Sequence, residues 1–161
     1  MPNKSEWINC EQLWKQVNNL KIDMSAAGYS GTALIKKLGI KDEMKILLIH
    51  PPDGYFSLLE KDISQQLVAR KQTPDFVHLF AASKKIFEME MKKLAAIYKA
   101  NSQLIIWVSW YKKTAGIPTD LTETDIRNYA SQHGLVDVKV CAVSNLWSGL
   151  KLVVPLALRK N

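Results

Sequence analysis

Arginine is scarce in this 161-residue chain: of its 22 basic residues only Arg70, Arg127 and Arg159 carry a guanidinium, and the rest are lysine. The planar arginine fork suits bidentate reading of phosphate or guanine, whereas lysine is a hydrated point charge. The net charge of +7 therefore argues for solubility and diffuse attraction before it argues for specific nucleic-acid reading. Cysteine is scarcer still. Cys10 and Cys141 are too few and too far apart for a disulfide framework or a metal cluster. No HxxxH, CxxC or acidic cluster suggests a metal site, and no metal or cofactor is expected. Long apolar runs are missing too; none approaches the roughly 18 residues of a membrane span. The opening residues 1–6 (MPNKSE) hold no apolar signal core, which points to a cytoplasmic protein without membrane attachment.

Glycine is sparse where nucleotide binding would need it. A dinucleotide turn requires small residues after the first strand so that backbone can approach phosphate. Here residues 50–55 read HPPDGY, with one glycine and two prolines that lack an N–H. GxxxxGK[ST] is absent, which excludes a P-loop.

What is present is an alternation of elements. Residues 6–20 have helical spacing, with Trp7, Cys10, Trp14 and Val17 on one stripe behind a Ser5 cap. This N-terminal extension, residues 1–28, is expected to dock on the chain's own core or to form a homodimer contact through Trp7 and Trp14. Residues 29–161 read as one α/β domain. A short helix over 32–38 ends at Gly39, a left-handed cap. Strands are expected at 44–49 (MKILLI), 76–82 (FVHLFAA) and 103–110, with a weak one at 66–70. Ser83 caps a long helix, and Thr122 with Asp125 resembles a capping box for the next. Residues 136–143 and 150–158 form two last strands, antiparallel because the connection over 144–149 is short. The fold class is three-layer α/β with a mostly parallel sheet and a C-terminal antiparallel pair.

In such sheets ligands bind beyond the carboxyl ends of the parallel strands. Three segments project there: His50 and Asp53; Ser83, Lys84 and Lys85; and Ser109, Trp110, Lys112 and Lys113, with Asp120 following. Two lysine pairs beside aromatics and helix starts form a candidate rim for an anionic ligand or an acidic partner. His50 and Asp53 could make an acid–base pair. His78, mid-strand, reads as a satisfied core residue, and Cys141 as an inert thiol.

The stretches YSGTALIKKLGIK (29–41), IWVSW (106–110), TDLTE (119–123), GLVDVKVCAV (134–143) and WSGLKLV (147–153) resemble a bacterial family of small proteins described only as a domain of unknown function. Family members usually carry proline and two lysines after the SW pair. Tyr111 replaces the proline here, while Lys112 and Lys113 remain. Acidic residues are common before WSG, where this chain has Ser144 and Asn145. The resemblance implies an α/β fold and no particular activity. The strand order also resembles Rossmann-like domains of the class I methyltransferase type, which end in an antiparallel pair. The leading expectation is a non-enzymatic or regulatory binding module. The alternative is a divergent S-adenosylmethionine-dependent methyltransferase-like enzyme. Any nucleic-acid association through the basic surface would not be sequence-specific.

Overall fold

The computed structural model describes residues 32–159, so the helix expected at 6–20, with Trp7 and Trp14, lies outside the described residues. In chain order the elements are α1 (Leu34–Leu38), β1 (Ile46–Ile49), α2 (Tyr55–Leu59), β2 (Phe76–Phe80), α3 (Lys84–Ala100), β3 (Ile105–Tyr111), α4 (Glu123–Gln132), β4 (Val136–Ala142) and β5 (Trp147–Val153). The sheet order is β1-β2-β3-β5-β4. β1, β2 and β3 pair in parallel, and β5 runs antiparallel between β3 and β4. Four of the five strands thus share one direction, and the sheet is mostly parallel.

The apolar runs explain the central strands. Every residue of β2 is buried, as expected of a strand covered on both faces. On one face α3 and α4 lay Phe87, Met91, Leu94 and Ile126 against Val77, Leu79, Val108 and Leu150. On the other, α1 and α2 lay Leu38, Tyr55 and Leu59 against Phe76, Phe80 and Trp107. Helices on both faces of the sheet make three layers. Gly39 ends α1 in the left-handed conformation (φ 77°), and the indole Nε1 of Trp107 donates to the Leu38 carbonyl at 2.9 Å.

Two elements differ from the sequence expectation. Residues 66–70 form no strand; they lie between 3-10 turns Ser64–Gln66 and Arg70–Gln72. Leu67 alone bridges to Ile46 in parallel, and the Val68 N–H donates to the Ile46 carbonyl at 2.9 Å. The Gln66 amide turns onto the carbonyls of Lys41 and Met44, and a segment whose one β-favouring residue is Val68 does not outlast that anchor. The last strand starts at Trp147, not at 150. Ser144 Oγ accepts the N–H groups of Leu146 and Trp147, which tightens the turn, and Pro155 denies the ladder a donor beyond Val153.

The remaining edge belongs to β4. Val136, Val138 and Val140 are exposed on it, and a bulge falls between Asp137 and Lys139. Bulges and charges are the ordinary defences of an open edge. Among the described residues no helix is long and apolar enough to cross a membrane. No group of three or more His, Cys, Asp or Glu among them could hold a metal ion.

Candidate functional site

β1 delivers His50 to the carboxyl edge in a left-handed conformation (φ 53°), a strained placement for a residue with a side chain. Its imidazole Nε2 lies 3.3 Å from Glu90 Oε1 on α3, and no hydrogen bond links it to Asp53, which is exposed. The expected His50–Asp53 pair is thus replaced by His50–Glu90. Glu90 is 3% exposed and also meets Arg70 and, at 3.5 Å, Lys93. Burial alone would raise its pKa, but the bond and charge of Arg70, aided by His50 and Lys93, hold it below the usual carboxylate range.

At the end of β2 the residues serve the joint between α3 and α4. Ser83 Oγ accepts the Ile86 N–H and caps α3. Asp120 accepts the Lys84 N–H at 2.8 Å, and the Lys84 ammonium lies 2.9 Å from Asp125. That bond raises the Lys84 pKa and lowers that of Asp125. Asp125 also closes the capping box, accepting the Thr122 N–H while donating its own N–H to Thr122 Oγ1. Lys85 stays exposed and lines a groove of about 480 Å³ with Glu88, Met89 and Lys92.

β3 ends beside a second cleft at the edge. Trp110 is 8% exposed, and Tyr111 stacks on Trp147 with ring centroids 4.0 Å apart. The Lys112 N–H donates to the Leu146 carbonyl, which orients the exit of the strand. Lys112 and Lys113 then line an open cleft of about 450 Å³. Its lining continues through Thr119 and the start of α4, with Thr122 and Thr124. Neither ammonium pairs with a carboxylate among the described residues, in contrast to Lys84. Glu123, also in the cleft, is held by Arg127 at 2.8 Å, and Arg127 is bound in turn by Asp137.

Ser109 does not reach the rim. It is wholly buried, with Oγ 2.7 Å from His78 Nε2, while His78 Nδ1 lies 2.8 Å from the Tyr55 hydroxyl. Burial lowers the His78 pKa to about 3 and raises that of Tyr55, so both are neutral. The chain Tyr55–His78–Ser109 runs from α2 through β2 to β3 beneath the edge. A polar residue on each of two neighbouring strands is the only sequence signal for it; Tyr55 gives none. The half-buried Cys141 thiol is pushed up by burial, away from reactivity.

The rim expected from sequence therefore divides in three. Glu90 gathers His50 at one flank, Lys85 borders a groove on α3, and Trp110, Lys112 and Lys113 border the cleft before α4.

No family model matches the chain, and no curated protein matches it. Among solved structures, an uncharacterized protein from Listeria monocytogenes serotype 4b is 8% identical at a TM-score of 0.50, with 78% of this chain and 68% of that one covered. A protein in the NADB-Rossmann superfamily from Streptococcus agalactiae is 7% identical at a TM-score of 0.46, with 81% and 70% covered. What the chain shares with the Listeria protein is an α/β fold, and at that identity the fold alone.

Proposed function

We propose that the protein is a binding module for a small ligand bearing an anionic group, seated in the cleft between the exit of β3 and the first turn of α4. The observation that carries this reading is the pair Lys112 and Lys113, without an ion pair among the described residues and lining, with a helix start, a cleft of about 450 Å³. The Glu123 and Thr124 N–H groups at that start find no acceptor among the described residues, and they add favourable dipoles. Cleft volumes of roughly 300–1,000 Å³ suit small organic ligands. The cleft's ammoniums and the Thr114 and Thr124 hydroxyls bind and orient, since Thr119 and Thr122 already donate to the Ala82 carbonyl and to Asp125; its one carboxylate is neutralised by Arg127. Kinship with the uncharacterised bacterial family belongs to the same proposal, resting on GLVDVKVCAV and WSGLKLV, which span β4 and β5.

The strand order favours a second reading, a divergent methyltransferase-like enzyme with His50, Asp53 and Asp120 as its polar groups. The Leu67–Ile46 bridge would then be the remnant of an outer strand beside β1. Against it stand the proline-rich turn after β1 and Arg70 where such enzymes carry an acid.

Calorimetry on the full chain separates the two. The binding reading expects orthophosphate or adenosine monophosphate to bind, and Lys112→Glu with Lys113→Glu to weaken binding at least tenfold. Equal affinity in that double variant refutes it. Micromolar binding of S-adenosylmethionine, insensitive to the double variant, selects the enzyme.

A further inference from the structure

The α1-side face of β4 and β5 is cationic, with no counter-charge among the described residues. Lys139 and Lys151 are direct cross-strand partners in the β4–β5 ladder, so their side chains leave the same face of the sheet. The Lys139 ammonium donates to the Lys37 carbonyl at 3.3 Å, which fixes that face as the one carrying α1. Lys37 adds its own charge from the last turn of the helix. Arg159 turns back to donate from Nε to the Val154 carbonyl at 3.0 Å, and it stands close enough to Lys151 for their charges to repel. Burial, Lys139 and Arg159 together lower the Lys151 pKa, and no acid among the described residues offsets them.

The nearest acid in sequence, Asp137, lies on the other side of the bulge and is bound to Arg127 of α4. None of Lys37, Lys139, Lys151 and Arg159 forms an ion pair among the described residues. Like charges directly opposed on neighbouring strands destabilise a sheet. The bond to the Lys37 carbonyl accounts for Lys139 alone; it leaves the charge of Lys151 beside Lys139 and Arg159 without a counter-ion among the described residues.

We propose that this face binds the phosphate backbone of a nucleic acid, through charge and without base reading. The four cations come from α1, β4, β5 and the C-terminal turn and so spread over an extended surface, which suits a chain of phosphates better than one small anion. Three of the four are lysines, point charges that neutralise phosphate without the bidentate fork that reads guanine. An acidic protein is the poorer fit, because protein interfaces draw their energy from Trp, Tyr and Arg anchors and this face offers one arginine. None of these four cations lines the Lys112–Lys113 cleft, so the proposal does not depend on the small-ligand reading.

Fluorescence anisotropy of the full chain with a labelled 20-mer of thymidylate and a 20-base-pair duplex tests it. With four phosphates neutralised, raising salt from 50 to 200 mM should weaken binding roughly 50- to 150-fold. Lys151→Gln with Lys139→Gln should lower the slope of log affinity against log salt by about 1.5. Lys151→Gln alone should lower it by about half as much, which guards against a folding defect from losing the Lys139 bond. Lys85→Gln with Lys92→Gln, on α3, should leave the slope unchanged. Absence of binding at 50 mM salt overturns the proposal. So does an equal loss in the α3 variant, or stronger binding of polyglutamate than of either oligonucleotide with the same dependence on Lys151, which would assign the face to an acidic protein.

Discussion

His78 Nε2 lies 2.7 Å from Ser109 Oγ, joining β2 to β3 inside a layer from which water is excluded. The neutral imidazole has one donor and one acceptor, so of the two hydroxyls that flank it, Ser109 and Tyr55, one donates and the other accepts. The ring also stacks on Phe80 at 4.2 Å, so its position is fixed by packing as well as by hydrogen bonds. The link organises the sheet beneath the candidate cleft without touching a ligand.

That burial makes stability depend on pH with a definite sign. His78 titrates near pH 6.5 when unfolded and near 3 when folded, so between those values the unfolded chain binds more protons. The contribution is complete above pH 6.5 and is lost progressively as pH falls towards 3. Between pH 7 and 5 the loss should be about 2 kcal/mol. Urea unfolding at pH 7, 6 and 5 measures it. His78→Leu should lower stability at pH 7 by about 2–4 kcal/mol, through two hydroxyls left without a partner, and should flatten the dependence. A variant with the wild-type slope would show that His78 is not the titrating group.

The sequence made the three parallel strands legible because strands buried on both faces are apolar throughout, as in FVHLF. It also placed the caps, since Ser83, Gly39 and the Thr122–Asp125 box act within their own neighbourhood. The weak strand at 66–70 was not legible as turns, because what decides it is the Gln66 amide reaching carbonyls more than 20 residues back. The exposure of Val136, Val138 and Val140 was hidden as well: alternating valines read the same in a central strand and at an open edge. At the site, residue types put both lysine pairs near strand ends. Which lysine is already engaged depends on Asp125, 41 residues from Lys84, and no local pattern reports that.

Glu90 fastens two segments to α3, the turn after β1 through His50 and the 3-10 turn through Arg70, and it also meets Lys93 one turn along its own helix. Its side chain is 4% exposed, and Arg70 Nη1 is buried without a partner among the described residues, so little water can replace the carboxylate. Glu90→Gln should cost about 2–3 kcal/mol at pH 7, by leaving Arg70 without its counter-charge. The cost should be fully present above pH 4.5, where the wild-type carboxylate would be ionised in either state, and should shrink as pH falls through and below that value. Thermal unfolding of both proteins from pH 7 to 3.5 provides the comparison. A constant difference across that range would mean that shape, not charge, is what Glu90 supplies.

Gly149 sits on β5 opposite Ser109, at the point where β3, β5 and the turn after β4 converge. A Cβ there would lie 3.0 Å from Val143 Cγ2, 3.2 Å from Trp107 Cε3 and 3.4 Å from Ser109 Oγ. Trp107 is fixed by its bond to Leu38, Ser109 by its bond to His78, and Val143 is 2% exposed, so none of the three can move aside without cost. Gly149→Ala should therefore destabilise by about 1–3 kcal/mol even though alanine favours a strand slightly more than glycine. Val143→Ala removes the nearest methyl, and the double variant should be more stable than the sum of the two single losses predicts. Equilibrium unfolding of the four proteins closes the cycle. Additive losses would place the strain of the extra methyl on Trp107 and Ser109, and a neutral Gly149→Ala would show that the three neighbours yield.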